Sequence, residues 1–150
     1  MKKIASFTVD HTVLETGIYV SRIDGDITTY DLRTRKPNCG DVMDHSTMHT
    51  LEHMFATYVR NSEISDDVIY FGPMGCQTGF YLLIRNADND KVLAVTKKVL
   101  SDITNQEGDV FGNSEIECGN YKTLALSTSK AEAERYLKVL SDKKIDFKYF

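Results

Sequence analysis

The residues best equipped for chemistry lie in one short run, Met48-His49-Thr50-Leu51-Glu52-His53-Met54. On a helix of about 3.6 residues per turn, His49 and His53 share a face and their ring nitrogens can converge on one ion. Glu52 falls at the border of that face, where a carboxylate can move protons beside a bound dication. The order H-x-x-E-H is the inverted form of the zincin motif. Two histidines at this spacing are often only a polar surface pair. Here the face lacks the lysines and glutamates of a solvated helix, and Ala56, one turn on, leaves room for a cavity. A metal site is the better reading.

Two imidazoles leave such a site incomplete, because zinc and ferrous centres that do chemistry usually take three protein ligands plus water or substrate. Cys118, Cys76, Cys39, Glu115 and Glu117 are the candidates for the third. Cys118 is preferred, since it precedes Gly119 at what reads as the lip of a strand, where backbone can approach closely. Cys76 follows the turn Gly72-Pro73-Met74-Gly75 and is expected to open a strand. Near a dication and Arg33 its thiolate form is favoured, which suits a base or nucleophile. Cys39, in a polar turn, reads as incidental. Taken alone, Arg33 reads as a surface charge at a strand end, His11 as a lone histidine near the terminus, and Phe7 as core.

The elements that must position these groups follow from periodicity. A short strand is expected over residues 4–9. Ile18 to Ile23 and Ile27 to Leu32 alternate around Asp24-Gly25, the pattern of a β-hairpin. A helix capped by Asp44 or Ser46 runs to about Arg60, with Met48, Leu51, Phe55, Tyr58 and Val59 as its apolar stripe, well away from the histidine face. Val68 to Phe71 and Gln77 to Ile84 read as strands. Asn89 or Asp90 is expected to cap a second helix that buries Val92, Val95, Val99 and Ile103. Tyr121 to Leu126 alternates as a further strand, and Ser129-Lys130-Ala131-Glu132 reads as a capping box opening a third helix, with Ala133, Tyr136, Leu137 and Leu140 facing in. Hairpin-joined strands with interposed helices predict an α+β fold: a two-layer sandwich, antiparallel sheet with helices packed on one face.

Composition narrows the function classes. The 150 residues fit one domain spanning 1–150, large enough to fold without staples. A net charge of -4 with interspersed signs offers no nucleic-acid footprint. No segment approaches the roughly 20 apolar residues of a membrane span, and Asp10 and His11 come too early for a signal peptide. Three widely spaced cysteines without an export signal suggest reduced thiols and a cytoplasmic protein.

Several blocks together resemble the S-ribosylhomocysteine lyase family, which makes the autoinducer-2 precursor: His49-Thr50-Leu51-Glu52-His53, Gly72-Pro73-Met74-Gly75-Cys76-Gln77-Thr78-Gly79-Phe80-Tyr81 and Cys118-Gly119. Ser6-Phe7 with Asp10-His11, and Tyr30-Asp31-Leu32-Arg33 with Pro37-Asn38, match as well. The resemblance implies that His49, His53 and Cys118 hold one divalent ion per subunit, natively Fe²⁺ with Zn²⁺ or Co²⁺ as substitutes. It implies Glu52 and Cys76 as acid/base groups, and Ser6, Phe7, His11 and Arg33 as substrate contacts. It implies a homodimer with sites at the interface, Phe7 and His11 arriving from the second subunit. One departure is Tyr70, at a position where several members carry an acidic residue. The alternatives are an H-x-x-E-H metallopeptidase and a non-catalytic metal-binding protein in which Cys76 closes the site as fourth ligand.

Overall fold

The computed structural model describes all residues, Met1–Phe150. Its centre is a four-stranded antiparallel sheet in the order β1-β2-β4-β3, formed by β1 (Gly17–Asp24), β2 (Ile27–Arg33), β3 (Val68–Pro73) and β4 (Gly79–Arg85). The β1–β2 hairpin forms as the alternation predicts, its two-residue turn being Gly25-Asp26, one residue later than expected, with Gly25 at φ 61°. Three helices, α1 (His45–Val59), α2 (Asn89–Thr104) and α3 (Leu126–Asp142), supply the second layer. Side chains alternate across each strand. Ile18, Tyr30, Leu32, Phe71, Phe80, Leu82 and Ile84 therefore point into one core with Leu51, Phe55, Val95, Val99, Ala133 and Tyr136 from the helices. The fold is α+β, with helices on one face of the sheet.

The apolar stripe of α1 lies as expected: Leu51, Phe55 and Val59 are buried, and Met48 and Tyr58 pack partly against the core. Asp44 is the cap, accepting the Thr47 amide at 2.8 Å. In α2 the cap is Asp88, not Asn89 or Asp90, because Asn89 is drawn away to accept the Tyr30 hydroxyl.

Three expectations are corrected. Residues 4–9 form no strand: Ala5–Thr8 is a 3₁₀ turn, with Ile4 and Phe7 exposed, and the segment joins no ladder of the sheet. Tyr121 to Leu126 is not a strand either. Tyr121–Thr123 is a 3₁₀ turn, and the Ala125 amide donates to Thr50 Oγ1 on α1 rather than to a sheet. Helix α3 begins three residues before Ser129, which sits buried inside it and donates back to the Leu126 carbonyl. Glu132, expected to cap, is buried and accepts Arg35 Nε at 2.9 and 3.0 Å. A tertiary ion pair has taken the residue that local pattern assigns to a cap.

Candidate functional site

The histidine face of α1 looks onto the irregular segment between α2 and α3, and that segment orients both rings. His53 Nδ1 lies 2.8 Å from the Phe111 carbonyl, which can only accept, so Nδ1 carries the proton and Nε2 is left free. His49 Nδ1 lies 2.7 Å from Thr123 Oγ1, whose own proton goes to the Asn120 carbonyl at 3.1 Å. Thr123 therefore accepts from His49 as well, and both imidazoles turn Nε2 away from these partners. Gly112, at φ 70°, makes this possible: a Cβ there would come within 2.9 Å of His53 Nδ1.

Cys118 completes the cluster. Its Sγ is 3.4 Å from His49 Nε2, and the ligand atoms of His49, His53 and Cys118 all lie within 4.8 Å of one another. Metal–nitrogen and metal–sulfur bonds of about 2.1 and 2.3 Å set tetrahedral ligand atoms about 3.6 Å apart, so the donor set fits one ion with a fourth position open. Cys118 is not at a strand lip, as the sequence suggests, but in a turn whose Cys118 amide donates to the Ser114 carbonyl. The other candidates are engaged or remote: Glu117 accepts from Ser114 Oγ at 2.6 Å, and Cys39 donates to the Lys36 carbonyl. Burial pushes the His49 ring toward the neutral form that ligation requires, with His53 and His45 adding to the effect. Burial likewise raises the Glu52 carboxyl above its ordinary range, against an opposing pull from His53.

The second thiol belongs to a different cluster. Cys76 sits in the turn ahead of β4 rather than in the strand, on a loop closed by Met74 N to Gly79 O at 2.9 Å and Gln77 N to Met74 O at 3.0 Å. Arg33 is no surface charge; only 3% of its side chain is exposed. Its Nε and Nη2 donate to the two oxygens of Asp31 at 3.1 and 2.7 Å, a fork-to-fork pair. Nη1 is then aimed at Thr78 Oγ1, 2.8 Å away, and at Cys76 Sγ, 3.8 Å away. Thr78 Oγ1 stands 3.1 Å from the same sulfur. Burial alone would weaken the Arg33 charge, but Asp31 more than offsets it and the guanidinium is held firmly protonated. Gly79 allows the approach of β4 to β2, since a Cβ there would meet the Leu32 carbonyl at 2.7 Å.

Ser6, Phe7, His11, Arg33 and Cys76 line one open cleft of about 540 Å³, with Tyr81 on its wall. Phe7 is therefore not core; it is 70% exposed. His11 is fixed by a 2.8 Å contact of Nδ1 with the Val9 carbonyl. The cleft lining includes neither Glu52 nor the three metal-type ligands. Sequence reasoning missed Asp31, Thr78, Thr123 and Gly112. Asp31 carried a usable signal, since it lies two residues from Arg33 on the same strand face; Thr123, 74 residues from His49, carried none.

No helix is long and apolar enough to cross a membrane. The family model described as S-ribosylhomocysteinase (LuxS) matches residues 4–146. The chain is 43% identical to the S-ribosylhomocysteine lyase of Borreliella afzelii (strain PKo) over 156 aligned positions, covering 99% of each chain. It is also 43% identical to that of Desulfotalea psychrophila over 95% of this chain and 93% of the relative. With the blocks around His49, Cys76 and Cys118 folded into these two clusters, the chain belongs to the S-ribosylhomocysteinase (LuxS) family.

Proposed function

We propose that this protein is a metal-dependent S-ribosylhomocysteine lyase, releasing homocysteine and 4,5-dihydroxy-2,3-pentanedione, the autoinducer-2 precursor. The observation that carries the reading is an open His49–His53–Cys118 centre accompanied by a second thiol, Cys76, tied to Arg33 and Thr78 instead of to that centre. A closed storage site would use Cys76 as its fourth ligand, and peptide hydrolysis would have no work for it.

The substrate is a ribose joined to homocysteine through sulfur, opened to its aldehyde. Sulfur can leave only when a carbonyl stands β to it, so the carbonyl must move from C1 to C3. Each move removes a proton α to a carbonyl and returns one to the neighbouring carbon. His49, His53 and Cys118 would hold a divalent ion, Fe²⁺ in this proposal with Zn²⁺ or Co²⁺ able to replace it, which would supply Lewis acidity to stabilise the enediolate. Glu52 and Cys76 carry the protons. In elimination a C4 proton is removed, the C4–C5 double bond forms, and homocysteine departs with its sulfur protonated by one of the two; the enol left behind gains a proton at C5 and loses its C4 hydroxyl proton to become the dione. Ser6, Phe7, His11 and Arg33 hold the substrate in a cleft whose volume suits a small molecule.

The protein works as a homodimer with its sites at the interface. Supporting this, Ile4 and Phe7 of the N-terminal segment and Tyr70 of β3 are large apolar side chains left exposed. A reduced cytoplasmic setting suits a chain whose proposed ligand and base are both free thiols. The test is homocysteine release from S-ribosylhomocysteine, read with a chromogenic thiol reagent, by protein loaded anaerobically with Fe²⁺ or Co²⁺. Stoichiometric thiol, lost in Cys76→Ala and Glu52→Gln while metal content is kept, is the expected result; no thiol from metal-replete dimer overturns it.

A further inference from the structure

Asp31, the anchor of the Arg33 guanidinium, has a third partner far away in the chain. The Tyr149 hydroxyl donates to Asp31 Oδ2 at 2.9 Å, across a separation of 118 residues. That oxygen already accepts Arg33 Nη2 at 2.7 Å, so one carboxylate joins the C-terminal segment to the group that faces Cys76. We propose that Tyr149 is a positioning residue for Cys76, acting through Asp31 and Arg33; the inference rests on the lyase reading for the role of that thiol.

The segment is built to place this ring. Val20 on β1 donates its amide to the Phe147 carbonyl at 2.8 Å, and Tyr19 and Phe147 form an isolated parallel bridge. Phe147 turns into the core, 7% exposed and edge-on to Tyr30 at 6.1 Å. Tyr149, two residues on, lies over the opposite sheet face and stacks on Tyr19 at 5.0 Å. Burial is the main cause that raises the Tyr149 phenol above its ordinary range, with the Asp31 charge adding to it, so it stays a donor. The other titratable groups around Asp31 are Arg33, Tyr19 on β1 and Tyr81 on β4 (both directly across from it in the sheet), and Tyr136 on α3.

The consequence is geometric. Arg33 has five N–H donors in a rigid fork. With Nε and Nη2 held by Asp31, the direction of Nη1 toward Thr78 and Cys76 is fixed. A buried ion pair keeps one arrangement only while its lone pairs are satisfied and water is kept out. Tyr149 does both, by its hydroxyl and by its ring. Without the hydroxyl, Asp31 can turn and Arg33 no longer holds one orientation against the thiol. Tyr149 also lies three residues beyond the stretch that the family model matches.

The experiment is Tyr149→Phe in the full-length, metal-loaded protein, which keeps the ring stack and removes only the hydroxyl. Iodoacetamide alkylation of Cys76 is followed across pH by mass spectrometry of its peptide, and homocysteine release is measured in parallel. The expected result is a Cys76 alkylation curve displaced to higher pH by about half a unit. With it comes a roughly tenfold fall in kcat at little changed KM, as for other residues that orient a reactive group. In an Asp31→Asn background the same substitution should add nothing, because the relay is already cut. An unchanged alkylation curve in Tyr149→Phe, or an effect undiminished in Asp31→Asn, overturns the proposal. Failure of the lyase reading shows separately, as absence of homocysteine from the parent protein, while the alkylation curves still decide the role of Tyr149.

Discussion

Thr123 gives the residue scale its clearest case. It touches no ion itself; its hydroxyl fixes the tautomer of His49 by accepting from Nδ1 and donating to Asn120. Thr123→Val keeps the shape and removes the acceptor, so His49 loses the bond that turns Nε2 toward the site. Metal affinity should fall about 10- to 100-fold, read by competition with a chromogenic chelator. Unaltered affinity would mean that ring packing alone orients His49. The His49–His53–Cys118 cluster was legible in the sequence because two of its members lie one helical turn apart, a spacing that geometry converts into a shared face. Their supports were not, because Phe111 acts through its backbone and Thr123 is brought near by the path of a loop. Taken alone, Arg33 reads as a surface charge: Asp31, two residues away on the same strand face, is its one local signal, and Tyr149 is brought near only by the fold.

At the scale of elements, periodic patterns read well where one face is buried by the element's own sheet or helix layer. The β1–β2 hairpin, α1 and the core face of α2 all follow from spacing. The misreadings fall where a distant group competes for a local one. Ser129 and Glu132 have the spacing of a capping box, yet α3 starts earlier, because Arg35 holds Glu132 from the far end of the β2 loop. The Glu132 side chain is 1% exposed and Arg35 15%, so this is a buried pair rather than a surface one. Glu132→Ala would leave a largely desolvated guanidinium without its main partner, at a cost of about 3 kcal/mol. Urea denaturation should show a lowered midpoint at unchanged slope. A midpoint within error of the parent would mean that Asp41, which also binds Arg35, suffices.

For the whole molecule, the two clusters lie in different places: metal-type ligands on α1 and the α2–α3 segment, thiol and guanidinium where β2 meets the turn before β4. Neither Glu52 nor the ligands line the cleft of the same chain, which gives a second subunit a reason to matter. Phe7, at the cleft and 70% exposed, is the natural contact. Phe7→Asp should shift sedimentation from a dimer toward a single 17.0 kDa chain and abolish homocysteine release while the metal stays bound. A fully active monomer would refute the interface site.

Strand order and loop placement also impose a timetable. On the ribosome, His49 and His53 emerge long before Cys118, which follows His49 by 69 residues. Until then a nascent α1 can offer an ion only two imidazoles. Arg33 and Cys76 are separated by 43 residues and can meet once β4 has been made. Synthesis therefore brings Cys76 within reach of Arg33 before Cys118 joins the two histidines, while Tyr149, which donates to the Asp31 that anchors Arg33, comes later still. A product stalled ahead of Cys118 therefore lacks one member of the His49–His53–Cys118 cluster and also Ala133, Tyr136, Leu140 and Phe147, which close the core over the sheet.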